Sequence, residues 1–177
     1  MKVEQIMTAL SKVFLFSLLS AIHLYVRADN FTVGEITVPR GERVSGFIMV
    51  PEGVDGGSTI PVTIVHGASD GPVLALIAGI HGYEYPPITA LQAMRTRVDP
   101  AALSGTIILV HIANMPAFLG RTIYYSPGDG KNLNRMFPGD PDGSISQRIA
   151  HILATEVIDQ ANYLVDLHGG DGNEALR

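Results

Sequence analysis

Residues 73–84 read Val-Leu-Ala-Leu-Ile-Ala-Gly-Ile-His-Gly-Tyr-Glu, and this stretch decides the fold class. Its first six residues form a continuous apolar run between Pro72 and Gly79. Such a run, with no polar alternation, is typical of a strand that is buried on both faces of a sheet. Two polar side chains, His81 and Glu84, follow directly. The sequence therefore predicts a buried strand that ends in a loop carrying chemically active groups.

Similar segments alternate with helical patterns along the rest of the chain. Strands are predicted at residues 31–38, 43–50, 60–65, 106–112 and 163–167. Helices are predicted at residues 86–97, which two prolines open, and at residues 144–160, where apolar residues recur at helical spacing. The region 114–143 contains five glycines and little periodicity, which indicates a long functional loop. This order predicts an α/β domain with a mixed, largely parallel sheet flanked by helices.

Composition excludes several classes of protein. With 177 residues, of which 46% are apolar and 16% charged, the chain is long enough for one globular domain. A formal net charge of −5 gives no support for nucleic-acid binding, which normally requires a basic surface. The absence of cysteine excludes disulfides and thiolate metal sites.

The amino terminus resembles an export signal. Lysines precede the mostly apolar residues 13–26, and residues 26–28 offer a cleavage site. The apolar stretch is shorter than the roughly 20 residues that a membrane span needs. We therefore expect residues 1–28 to be a signal peptide, the mature protein to be periplasmic or secreted, and no stable membrane span to remain after cleavage.

Two histidines and one glutamate form a set of candidate metal ligands. His81 and Glu84 follow one predicted strand, and His168 ends another. Ligands in open α/β sheets collect where strands end and loops begin. Two imidazoles and one carboxylate hold catalytic zinc while leaving a fourth position open for water. The sequence therefore predicts one Zn²⁺ per chain, held by these three residues.

Asp166 lies two residues before His168 on the same predicted strand. Residues two apart on a strand face the same side, so its carboxylate can accept the second N–H of the His168 ring. Such a contact fixes the orientation of a metal-bound imidazole. The alternative is that Asp166 caps a neighbouring loop, as aspartates often do.

The loop at residues 126–140 offers groups that can hold a substrate. The planar guanidinium of Arg135 can grip a carboxylate through two hydrogen bonds, and Asn134 can assist. Arg121 can lower a reaction barrier if it lies beside a developing oxyanion. For Arg121 and Lys131, a solvated surface charge is an equally good interpretation.

Three ordered motifs resemble the succinylglutamate desuccinylase/aspartoacylase family, which is related to zinc carboxypeptidases. They are Gly-Ile-His-Gly-Tyr-Glu at residues 79–84, Asn-Leu-Asn-Arg-Met-Phe-Pro-Gly at residues 132–139, and Asp-Leu-His at residues 166–168. The similarity runs from about residue 35 to the end of the chain, and the second motif is most similar to the bacterial deacylase-like branch.

The resemblance implies a zinc-carboxypeptidase-like fold and a zinc-dependent amidohydrolase acting on an N-acyl amino acid or related N-acyl amine. By position, His81, Glu84 and His168 match the family's zinc ligands, and Asn134 and Arg135 match its substrate-carboxylate binders. Arg121 is the arginine available for the family's oxyanion-side position, although its spacing from Asn134 is longer than in aspartoacylases. The implied partner is a small N-acylated substrate.

The family also uses a glutamate well downstream of the third ligand as general acid/base. The chain ends at Arg177, and Glu174 lies too near His168 in sequence to be the counterpart. We therefore expect residues 29–177 to form a partial deacylase domain without its carboxy-terminal part. Its activity is expected to be impaired, since losing a general base costs roughly a hundred- to ten-thousandfold in rate. Two alternatives remain open: a metallocarboxypeptidase, and a non-catalytic zinc-binding fragment.

Overall fold

A computed structural model describes residues 29–170. The strands are β1 (Phe31–Val33), β2 (Ile36–Val38), β3 (Glu42–Val50), β4 (Ser58–His66), β5 (Ser69–Ala78), β6 (Ser104–Val110) and β7 (Tyr163–Leu167). The helices are α1 (Tyr85–Met94), α2 (Met115–Gly120) and α3 (Ile145–Leu153), which continues as a π-helical turn (Ala154–Ile158). A 3-10 turn spans Leu133–Arg135. The predicted signal peptide lies outside this range, and no helix within residues 29–170 is long and apolar enough to cross a membrane.

Five strands form one mixed sheet in the order β3-β4-β6-β5-β7. The pairs β3–β4 and β4–β6 are antiparallel, whereas β5–β6 and β5–β7 are parallel. The sheet is therefore mixed, as predicted, but it is not largely parallel, since half of the strand pairings are antiparallel. The reason lies in the connections: a short loop joins β3 to β4 as a hairpin, while α1 provides the crossover that parallel β5 and β6 require.

Both faces of the central strands are buried. Alternate residues of β6 point to opposite sides, so Ile108 and Val110 join a cluster under α3, while Leu109 joins a second cluster under α1 and α2. All three side chains are 0% exposed. The continuous apolar runs in the sequence follow from this arrangement, because every position in such a strand faces a core. The candidate site lies where β5 and β7 end, next to this packed region.

Two local predictions differ from the structure. Residues 31–38 form the hairpin β1–β2 rather than one strand, because Gly34 turns the chain with a φ of 56°. The region 114–143, expected to be a loop, begins with the helix α2, whose first turn is capped when Ala117 N–H donates to the Asn114 side chain. A six-residue helix is too short to produce a recognisable apolar periodicity.

Candidate metal centre

His81 and Glu84 lie in the turn that joins β5 to α1. Gly79 enters this turn with a φ of 72°, which favours glycine, and a Cβ at Gly82 would overlap the backbone of Ala117. The glycines therefore let the turn press against α2. As a result both side chains are held inside the protein, with His81 7% and Glu84 3% exposed.

The register of β7 brings His168 to the same place. Leu167 pairs with Ala78 at the end of β5, so the residue after β7 lies beside the turn. The Nδ1 atom of His168 is 3.0 Å from Oε2 of Glu84, and Nδ1 of His81 is 2.8 Å from Oε1 of the same carboxylate. Each of the three residues offers a ligand atom within 4.8 Å of the other two. The fold therefore brings His168 into contact with Glu84, which lies 84 positions earlier in the sequence.

Asp166 contacts His168 from the other side. Its Oδ2 atom lies 2.8 Å from Nε2 of His168, so the imidazole is held between two carboxylates. Burial by itself lowers the pKa of His168, but the hydrogen bond and charge of Asp166, together with the charge and hydrogen bond of Glu84, outweigh it and raise the pKa. The two carboxylates thus favour positive charge at this end of the sheet.

The donor set fits a zinc ion. Zinc accepts imidazole nitrogen and carboxylate oxygen, and the Nδ1 atoms of both histidines face one shared carboxylate. The second nitrogen of His81, Nε2, is buried and has no hydrogen-bond partner among residues 29–170. A histidine kept only for structure normally satisfies both ring nitrogens when buried. Nδ1 of His111, which is not a candidate ligand, is also buried without a partner among residues 29–170, so the unpaired nitrogen does not by itself indicate a metal. The feature that fits ligand binding is the convergence of His81, Glu84 and His168, whose ligand atoms lie within 4.8 Å of one another.

Tyr124, which the sequence analysis did not single out, borders the site. Its ring meets the His81 ring edge-on, with 5.0 Å between the centroids. The following residue, Tyr125, forms an isolated antiparallel bridge with Asn132. The segment that carries Asn134 and Arg135 is thus linked to the candidate metal centre through residues 124 and 125. No motif marks Tyr124 in the sequence, because the contact arises from the path of the loop.

Asn134 and Arg135 lie in the 3-10 turn, where Leu133 is completely buried. Asn134 is half-buried and its backbone N–H donates to the Asn132 side chain at 2.9 Å. Arg135 is exposed, and its Nη1 donates to the carbonyl of Asn134 at 3.2 Å. The buried leucine anchors the turn while both polar side chains remain on the surface side.

Arg121 and Lys131, the other two candidate cations of the sequence analysis, have different surroundings. Arg121 ends α2 in a left-handed conformation with a φ of 52° and is exposed. Within residues 29–170, no hydrogen bond or ion pair joins it to the three candidate ligands, and its proposed place beside an oxyanion stays a prediction. Lys131 instead donates from Nζ to Ser144 Oγ at 2.9 Å and to Gln147 Oε1 at 2.7 Å. Lys131 is therefore bound to the start of α3 and is not a free surface charge.

Sequence comparison identifies the family. The profile of the succinylglutamate desuccinylase/aspartoacylase catalytic domain matches residues 70–176, which include all three candidate ligands. The chain belongs to this family. Members of the succinylglutamate desuccinylase/aspartoacylase family are zinc-dependent deacylases, in agreement with the donor set. One relative is the N-alpha-acetyl-L-2,4-diaminobutyric acid deacetylase of Halomonas elongata, 42% identical over 130 residues that cover 71% of this chain and 37% of the relative.

Solved structures of family members have the same fold. A succinylglutamate desuccinylase/aspartoacylase from Rhodobacter sphaeroides is 35% identical, with a TM-score of 0.66 over 71% of this chain and 39% of that one. The product-bound ectoine utilization protein from Ruegeria pomeroyi is 33% identical, with a TM-score of 0.66 over 72% and 40%. The chain therefore spans about two fifths of the length of these relatives.

Proposed function

We propose that this chain binds one zinc ion through His81, Glu84 and His168 and takes part in hydrolysing the amide bond of a small N-acyl amino acid or related N-acyl amine. The convergence of the three ligand atoms within 4.8 Å carries the proposal. Family membership supports the reaction class, since the match covers the sequence from β5 to beyond His168.

A zinc ion bound here would lower the pKa of a water molecule and polarise the substrate carbonyl. The protein's own side chains supply orientation. Asp166 accepts from the His168 ring and fixes which nitrogen faces Glu84. Burial of His81 and Glu84 keeps this half of the site in one conformation.

The substrate's carboxylate is proposed to bind Asn134 and Arg135. Arginine matches a carboxylate with two parallel hydrogen bonds, and the exposed guanidinium of Arg135 is accessible to a ligand. Arg121 is proposed to act near the carbonyl oxygen. The name of the Halomonas relative points to an N-acetylated diamino acid, so N-alpha-acetyl-L-2,4-diaminobutyrate is the first compound to test.

The group that transfers protons is proposed to lie outside residues 29–170. Glu84 and Asp166 are the carboxylates in contact with the candidate histidines, and each is bound by an imidazole. A general base has to reach the proton that it removes. Neither carboxylate is therefore available for this role while it holds a histidine.

The decisive experiment measures amine release from N-alpha-acetyl-L-2,4-diaminobutyrate, N-succinylglutamate and short peptides, with the 177-residue chain loaded with zinc or stripped by chelator. We expect slow release from an N-acyl amino acid, because the proton-transferring group is proposed to lie outside residues 29–170. This release should need zinc and should be lost in His81→Ala. His151→Ala, on α3 outside the cluster, is the matched control and should retain activity. Hydrolysis of peptides alone would identify a metallocarboxypeptidase, and tight zinc binding without turnover would identify a non-catalytic zinc protein; either overturns the proposal.

Export is proposed separately from activity. Residues 1–28 have the composition of a signal peptide. Expression with fractionation of the cells, followed by amino-terminal sequencing, should give a mature protein that begins near Asp29. A cytoplasmic protein that retains residues 1–28 would contradict this proposal without affecting the metal site.

A further inference from the structure

The segment between Ser126 and Arg135 is attached to α3 by a network that the proposed chemistry does not use. Asp129 accepts hydrogen bonds through both carboxylate oxygens: Oδ2 from Ser144 Oγ at 2.7 Å and Ser146 N at 3.0 Å, and Oδ1 from Ser146 Oγ at 2.9 Å and Lys131 N at 3.1 Å. Lys131 adds its two bonds to Ser144 and Gln147. We call Asp129 and Lys131 the loop clamp.

The loop clamp meets α3 at its amino-terminal end. Ser144 is the N-cap residue, and its backbone N–H donates to the Gln147 side chain at 3.2 Å. The positive end of the helix dipole favours the negative charge of Asp129 there. Hydrogen bonds from Ser144, Ser146 and Lys131 outweigh the effect of burial and lower the pKa of Asp129, so the carboxylate is charged near neutral pH.

The chain between the loop clamp and the substrate-binding pair is short and ordered. Ser126 N–H donates to Lys131 O at 2.9 Å, which closes a tight loop around Asp129. Asn132 follows directly, accepts from Asn134 N–H, and begins the 3-10 turn. Only three residues therefore separate Lys131 from Arg135, so a shift of the clamp would also move the turn that carries the guanidinium.

We propose that Asp129 and Lys131 are positioning residues that hold Asn134 and Arg135 in one orientation toward a substrate carboxylate. This inference rests on the proposed function, because it assigns the clamp to the same carboxylate-binding pair. The candidate zinc ligands make none of the clamp's hydrogen bonds, so the clamp acts on substrate affinity and leaves metal affinity unchanged. If the clamp only stabilised the fold, its loss would weaken the binding of substrate and of zinc alike.

The test compares binding of N-alpha-acetyl-L-2,4-diaminobutyrate with binding of its carboxamide, by calorimetry on the zinc-loaded chain. In Lys131→Met we expect the dissociation constant for the carboxylate to rise about tenfold, because a small displacement of a binding group is costly. The dissociation constants for the carboxamide and for zinc should not change. Lys131→Arg, which keeps a cationic donor, should restore most of the loss.

Asp129→Asn provides a second variant should Lys131→Met fold poorly, and it should show the same selective loss. Asp159→Asn, an exposed aspartate after the π-helical turn, is the matched control and should bind as the wild type does. The proposal is wrong if the clamp variants bind the carboxylate, the carboxamide and zinc all more weakly by the same factor. It is also wrong if none of the three dissociation constants changes. A wild type that does not prefer the carboxylate, or an Arg135→Ala without effect, instead contradicts the proposed function itself.

Discussion

The two edges of the parallel part of the sheet differ sharply in burial. In β6, Ile108, Leu109 and Val110 are completely buried between α3 on one face and α1 with α2 on the other. In β7, Tyr163, Leu164 and Val165 are 64%, 45% and 44% exposed. The same kind of apolar strand sequence thus occurs in a dry core and at an open edge.

The candidate metal centre joins these two regions. His81 and Glu84 come from the packed region and are held by tight contacts between backbone segments. His168 and Asp166 come from exposed β7 and are held chiefly by hydrogen bonds. One half of the site is therefore positioned by packing and the other by polar contacts, and each half should respond differently to mutation.

The largest expected effect is on zinc affinity, when a ligand is removed from either half. Apparent binding energies of about 10–16 kcal/mol for four-ligand zinc sites correspond to roughly 2.5–4 kcal/mol per ligand, or roughly sixty- to seven-hundredfold in affinity. We expect His81→Ala and His168→Ala to lose this much in a titration against a chromophoric chelator. Unchanged affinity in His168→Ala would show that β7 contributes nothing to the site.

Truncating a side chain should lower the free energy of unfolding more in the packed strand β6 than in the exposed strand β7. Leu109→Ala leaves a cavity in the core and is expected to cost about 2–5 kcal/mol in the free energy of unfolding. Val165→Ala removes a side chain that is 44% exposed and should cost less than about 1 kcal/mol. Urea unfolding measures both. Equal costs would mean that another surface covers β7 in solution.

Asp166→Asn tests the polar half of the site alone. Removing the partner of a metal-bound histidine typically lowers metal affinity by roughly ten- to a hundredfold. We expect a loss in this range without a change in the midpoint of urea unfolding. Asp159→Asn, which alters an exposed aspartate elsewhere, is the control for charge. A loss as large as that of His168→Ala would make Asp166 a ligand rather than an orienting residue.

The smallest expected effect concerns pH and the loop clamp, which is half-buried and contacts the start of α3. The folded state lowers the pKa of Asp129, so its contribution to stability is fully present above the unfolded value, near 3.8, and is lost as pH falls through the folded pKa. Asp129→Asn should therefore melt below the wild type at pH 7, and the two melting temperatures should converge below pH 3.8. A constant difference down to low pH would show that the carboxylate charge is not involved.

Sequence patterns predicted the individual elements better than their arrangement. The apolar runs that form β5, β6 and β7 were predicted correctly as strands. Strands are rich in branched apolar residues, and this composition is visible in the sequence. The mixed character of the sheet was predicted, but the share of parallel pairings was overestimated. Parallel and antiparallel strands use similar residue types, and the connections between them distinguish the two. The hairpin at Gly34 and the short helix α2 were missed because each depends on one local turn.

By itself, the sequence determined the donor types, their spacing within each motif and the family to which the chain belongs, because these are properties of residue identity and order. The tertiary structure decided which atoms meet. Nδ1 of both His81 and His168 faces a single buried carboxylate, and Lys131 is hydrogen-bonded to the start of α3. Contacts between distant positions depend on strand register and on the path of loops, and neither is encoded in the pattern of one segment.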